Sequence, residues 1–279
     1  MAIKDLLVAF DGNDASQKAV RLAVQMAEKY DASITGIHIY QSESYESHVR
    51  RWISDDILQQ IESAQANVEQ SIGANFQEAL SQAGFTGKSA WVAERGRPNV
   101  LLPRFARYFD LLLIGQFTST FASELRSVQP EEIVTRAGKP IIIVPKDHDV
   151  RPFTGTAAVA WDGSRSASRA LTDAMQILET KERLDVLVVD ADGTGEPTGM
   201  PEGFSVVAHL QRHGIDAQQV LLRGRRDHVG DTLLDYCGKH QPDVLVMGAY
   251  GRGKFGGMLF GGVTQHVLRN MNVPVLLSH

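Results

Sequence analysis

One stretch of this chain is rich in glycine where an apolar run gives way to a helical pattern: Gly248-Ala-Tyr-Gly251-Arg252-Gly253-Lys254-Phe255-Gly-Gly-Met-Leu-Phe-Gly261-Gly262-Val263-Thr264. Glycine lets backbone N–H groups approach an anion without interference from Cβ, and a helix that starts where the glycines end adds its unpaired N–H groups and positive end. Phosphate binding is the natural chemistry of such a turn. One reading of its spacing fails. Gly248-x4-Gly253-Lys254 matches a P-loop, but Phe255 stands where that loop needs Ser or Thr to hold magnesium, and too little chain follows to complete an NTPase domain.

Other reactive side chains form weaker patterns. His209 and His213 are four apart on a predicted helix and share a face, but a third metal ligand is not visible. Cys237 has no motif around it and reads as a small buried residue. Arg223, Arg225 and Arg226 follow a predicted strand at the same end of the sheet as the glycine turn, where they either touch phosphate or line a charged surface. No Ser-His-Asp order or paired catalytic carboxylates emerge from the spacing, so the chain reads as a binder before it reads as a catalyst.

The elements that would position the glycines occur twice. Leu7-Val-Ala-Phe-Asp-Gly12 and Ala158-Val-Ala-Trp-Asp-Gly163 are apolar runs ending in Asp-Gly. Helical periodicity follows over Ala15 to Tyr30 and Ser166 to Leu178, then second apolar runs over Ser33 to Tyr40 and Leu184 to Asp190. Phe109 to Gly115 matches Pro242 to Gly248, and Lys139 to Val144 matches Val273 to Leu277. The second copy reads as strands near Thr156 to Trp161, Leu184 to Asp190, Asp216 to Leu222, Asp243 to Gly248 and Val273 to Ser278. The runs are continuous rather than alternating, as in parallel strands covered on both faces. Each copy is therefore expected to be a five-stranded doubly wound α/β domain, over residues 1–147 and 153–279, with the boundary in the polar stretch Lys146 to Pro152. The first copy alone inserts a long segment in which Trp52, Ile53, Ile57, Leu58, Ile61, Ala64 and Val68 recur at helical spacing. The periodicity predicts an amphipathic helix covering the sheet, with a partner-binding helix as the alternative.

The pattern Gly248-x2-Gly251-x9-Gly261, preceded by an apolar strand with Asp243 and followed by Val263-Thr264, resembles the nucleotide motif of the universal stress proteins. The Asp-Gly turns, the closing Val273-Pro274-Val275-Leu276-Leu277 and the tandem layout fit the same family, so the resemblance spans nearly the whole chain. It implies a Rossmann-like fold of the adenine nucleotide alpha hydrolase-like kind and ATP, with or without magnesium, as the ligand of the second domain. By position, Ala160, Trp161 and Asp162 and the backbone near Val188 would surround the adenine. Gly248 and Gly251, with Met247 before them, would lie beside ribose and α-phosphate, and Gly261, Gly262, Val263 and Thr264 would donate N–H groups to the phosphates, while Arg252 and Lys254 either reach the phosphates or form a solvated loop face. The family usually has Ser or Thr directly after the third glycine, where this chain has Gly262. A hydrogen bond to a charged group is worth about 1.5–3 kcal/mol, so its loss weakens such a site without abolishing it. The resemblance also implies that the copies pack as a pseudo-dimer through their last strands; a homodimer of chains is left open.

The first copy lacks the motif. After Gly115 it has no second or third glycine, and Glu131 and Glu132 stand where a helix would receive phosphate. ATP is not expected there, which leaves Asp11 as a relic or a helix cap and Ser119 and Ser123 without an assigned purpose. A net charge of −5 gives no broad attraction to nucleic acid or anionic membrane, and neither is expected as a partner. The single cysteine fits a reducing compartment, and the first residues lack the pattern of a secretory signal, so a cytoplasmic protein is expected. The leading expectation is a stress-response ATP-binding protein whose first domain is structural or regulatory. A slow ATPase and a scaffold that binds no nucleotide are the alternatives.

Overall fold

A computed structural model describes residues 3–40, 55–116, 130–149, 151–153, 155–190, 205–249 and 262–279. The first half runs β1 (Asp5–Ala9), α1 (Asp14–Tyr30), β2 (Ser33–Tyr40), α2 (Asp55–Gln82), β3 (Ser89–Arg95), α3 (Pro98–Ala106), β4 (Leu111–Gly115), α4 (Pro130–Ala137) and β5 (Ile141–Val144). The second half runs β6 (Thr156–Ala160), α5 (Arg165–Leu178), β7 (Arg183–Asp190), α6 (Val206–Arg212), β8 (Ala217–Arg223), a short 3-10 turn (Arg226–His228), α7 (Val229–His240), β9 (Val244–Gly248), α8 (Gly262–Asn270) and β10 (Val275–Ser278).

The strands form one sheet in the order β3-β2-β1-β4-β5-β10-β9-β6-β7-β8. Within each half every pairing is parallel, and the order reverses beside the first strand, which makes each half doubly wound. Leu112 to Ile114, Ile141 to Val144 and Val244 to Val246 are nearly or fully sealed from solvent, as strands with helices on both faces require. Alternate residues feed two cores: Leu6 and Val8 belong to the one that α1, α2, α5 and α6 cover, and Leu7 to the one that α3, α4, α7 and α8 cover. The halves meet where β5 and β10 pair antiparallel, with Ile143 opposite Val275 and Ile141 opposite Leu277. Around that seam the Lys29 ammonium donates to the Thr180 carbonyl at 3.0 Å, and the Tyr30 and Thr180 hydroxyls lie 2.9 Å apart.

The inserted helix covers the sheet through its C-terminal part, and two residues of the predicted apolar face, Ile57 and Val68, lie off it. Phe76 and Leu80, near its C-terminal end, are buried, whereas Ile57 and Val68 are 50% and 56% exposed. Trp52 and Ile53 lie outside the described residues, as do the side chains of Leu58, Ile61 and Ala64. The reason is length: a helix of 28 residues extends about 42 Å, while the 8-residue β2 extends about 26 Å. Phe76 fixes the overlap by packing on Phe10 and Trp91, with ring centroids at 5.5 and 5.1 Å. Gly36 makes room for it, since a Cβ there would come within 2.6 Å of the Phe76 ring.

Candidate functional site

The crevice of the second half opens at the carboxyl ends of β6 and β9, where the strand order reverses. Val159 is level with Val246, the last pair of the β6–β9 ladder, and Ala160 and Met247 follow directly beyond it. On the other side the Trp161 amide donates to the Leu187 carbonyl at 2.9 Å, so Val188 ends up at the same height. The side chains of Val188 and Met247 are buried, and these two residues can offer a ligand only their main chain. Beyond the strand, Gly163 adopts a positive φ of 70°, which closes the turn into α5. Asp162 braces this turn by accepting from the Ser164 amide at 2.9 Å, and Ser164 caps α5 by accepting from the Ala167 amide at 3.1 Å.

Gly248 has a packing reason to be glycine. A Cβ there would stand 2.6 Å from the Ala167 nitrogen, so the bare residue lets β9 press against the first turn of α5. Gly115 plays the same part in the first half, where a Cβ would meet the Ala15 carbonyl oxygen at 2.7 Å. Neither glycine needs a ligand to explain it. Gly262 differs: it is exposed, and a Cβ there would have no heavy atom within 4 Å. It opens α8, whose first turn carries no acid, and the parallel β9–β10 crossover sets that turn at the crevice end of the sheet. Thr264 is buried and Val263 half-buried. Gly251, Arg252 and Gly261 lie outside the described residues, as do Lys254, Ser119 and Ser123.

The model of the universal stress protein family matches residues 2–145 and again residues 155–279. The chain belongs to the universal stress protein family. It is 23% identical to a universal stress protein of Synechocystis over 98% of this chain and 99% of that one. Its fold is similar to a universal stress protein of Archaeoglobus fulgidus at a TM-score of 0.71 and 18% identity, covering 98% of this chain and 95% of that one. A putative universal stress protein of Pseudomonas aeruginosa is similar at a TM-score of 0.60 and 14% identity, covering 99% and 93%.

The two universal-stress halves share the turn and differ at the helix start. In the first half Asp11 is not itself the cap of α1. It accepts from the amide and side chain of Asn13 at 3.1 and 2.8 Å, and Asn13 caps the helix by accepting from the Ser16 amide at 2.7 Å. At the far side of that crevice α4 begins with Pro130-Glu131-Glu132, so its first turn has one N–H fewer and carries acids. Gln116, directly after Gly115, faces the seam. Its amide donates to the Leu268 and Arg269 carbonyls at 3.0 and 3.4 Å, closing the end of α8 in the other universal-stress half.

The remaining candidates fall elsewhere. His209 and His213 stand edge to face at 4.8 Å, and among the described residues no group of three or more His, Cys, Asp or Glu gathers that could hold a metal ion. Cys237 is fully buried, and burial pushes its thiol up to about 12. Arg225 pairs with Asp227 at 3.1 Å. Asp243, part of the motif's strand, sits at the end of β9 opposite the crevice, 2.8 Å from the Lys181 ammonium. Lys181 also lies 3.4 Å over the Phe153 ring, a contact the sequence did not signal because its three residues come from distant parts of the second half. Among the described residues no helix is long and apolar enough to cross a membrane.

Proposed function

We propose that this protein binds an adenine nucleotide, ATP, in its second half and acts as a nucleotide-responsive stress protein, with its first half in a structural or regulatory role. The family supports the ligand class, and one contrast supports the choice of half. The helix that closes the second crevice begins Gly262-Val263-Thr264, with Gly262 exposed and no acid in its first turn, while its counterpart begins Pro130-Glu131-Glu132. A phosphate needs bare N–H groups and a positive helix end, which the first arrangement offers and the second opposes. Ala160, Trp161, Asp162 and the main chain of Val188 would enclose the base. Met247, Gly248, Gly251, Arg252 and Gly261 to Thr264 would hold ribose and phosphates, with or without magnesium.

Isothermal titration of the full chain with ATP, ADP and AMP tests the reading, with mass spectrometry of any nucleotide released from the purified protein. We expect one nucleotide per chain, lost in Gly251→Asp or Gly261→Asp. Undiminished binding in those variants, or two nucleotides per chain, would overturn it.

A further inference from the structure

Away from the crevice, β8 is the outer strand of the sheet, and a groove of about 690 Å³ runs between it and α7. That volume lies in the usual range for small-molecule sites. Val220 and Leu222, both half-buried, line it from β8, and Tyr236 lines it from α7.

Behind this lining lies a buried carboxylate. Asp185 of β7 has no solvent exposure, and it accepts from the Tyr236 hydroxyl at 2.8 Å, the Gln218 amide at 2.7 Å and the Arg183 guanidinium at 3.3 Å. A buried charge is costly unless donors saturate it, as here. The consequence is rigidity, because three groups that line the groove are held from behind by one fixed acid. Burial first, and Asp185 second, raise the Tyr236 phenol above its ordinary range, which keeps it a donor. The His240 ring stacks on Tyr236 with centroids 4.1 Å apart and planes 17° from parallel, forming a flat aromatic wall. Arg183 offsets the Asp185 charge inside, so the balance at the groove is set by Arg223 and Lys239 against Asp235. On a chain of net charge −5 this is a locally cationic recess.

We infer that the groove between β8 and α7 is a second ligand site, for a small organic acid with a flat apolar body, such as an aryl carboxylate. Its acid group meets Arg183 and Lys239, which come from the start of β7 and the last turn of α7. Its ring lies on Val220 and Leu222 beside the Tyr236–His240 pair. The site is on a face of the sheet rather than at the strand ends and is independent of the nucleotide reading.

The test is calorimetric titration of the full chain with naphthoate, with neutral naphthamide as control, each in the absence and presence of saturating ATP. Saturable naphthoate binding that ATP leaves unchanged is expected, with naphthamide weaker by about tenfold or more. Lys239→Glu, an exposed change that leaves Asp185 and its donors intact, should weaken naphthoate by a similar factor, and Arg223→Glu by less. Absence of saturation, equal binding of naphthamide, or an unchanged Kd in Lys239→Glu overturns the proposal. Displacement of naphthoate by ATP would overturn it too, by assigning the probe to the crevice.

Discussion

Gly248 stands so close to Ala167 that a Cβ on the glycine would lie 2.6 Å from the Ala167 nitrogen, which ties β9 to the first turn of α5 whatever occupies the crevice. The same relationship links Gly115 to Ala15 in the half where no nucleotide is proposed.

Gly248→Ala and Gly115→Ala should therefore destabilise the protein alike, by about 2 kcal/mol each, the usual cost of forcing a methyl into packed backbone. Urea denaturation of both variants measures this. A stable Gly248→Ala protein that has lost only nucleotide affinity would contradict the packing account.

Gly262 gives the opposite expectation. The space around it admits a side chain, so Gly262→Ser should fold at least as well as the parent. In the proposed site it should tighten ATP by about tenfold, through one added hydroxyl donor to phosphate. Titration with ATP and a thermal melt read the two effects separately.

Lys181 titrates at about 8 rather than its ordinary 10.5, lowered by burial and only partly restored by Asp243. Between those two values the unfolded chain binds the proton that the folded chain has released, so this residue makes stability rise with pH across that window. Below about 8 its charge is retained and the penalty of burial is complete. Denaturation free energies measured from pH 8 to 10.5 in the parent and in Lys181→Met should show this rise as their difference, because the buried Cys237 thiol acts in the opposite sense above about 9 in both proteins.

Gln116 holds the end of α8 across the seam. Gln116→Ala should cost about 1 kcal/mol, the typical value of such a bond, and should speed hydrogen exchange in the last turn of α8 more than in α5. Equal exchange in both helices would mean that the contact does not carry stability between the halves.

Much of this was legible in one dimension because it rests on local rules. Apolar runs gave nine of the ten strands to within a few residues, all but β3, whose sequence Ser89–Arg95 is not a continuous apolar run, and the repeated Asp-Gly turns announced the helices that follow. The family, too, was legible as a resemblance, since its motif places Gly248, Gly251 and Gly261 at fixed spacing within one short stretch. Local order also misled in part: the apolar periodicity of α2 included Ile57 and Val68, which are exposed, because how far a long helix overhangs a shorter strand is settled by the packing of Phe76, not by its own pattern.

The sequence by itself determined that two parallel α/β units follow one another and that only the second carries the bare turn suited to an anion, because periodicity, turn chemistry and the absence of side chains are properties of neighbouring residues. The family resemblance implied that the units meet through their last strands; tertiary structure decided that β5 and β10 do so as an antiparallel pair within one sheet, that Gly248 answers to Ala167, and that Asp185 gathers Arg183, Gln218 and Tyr236. Each of these joins residues far apart along the chain, and such contacts depend on how whole elements pack rather than on any local preference.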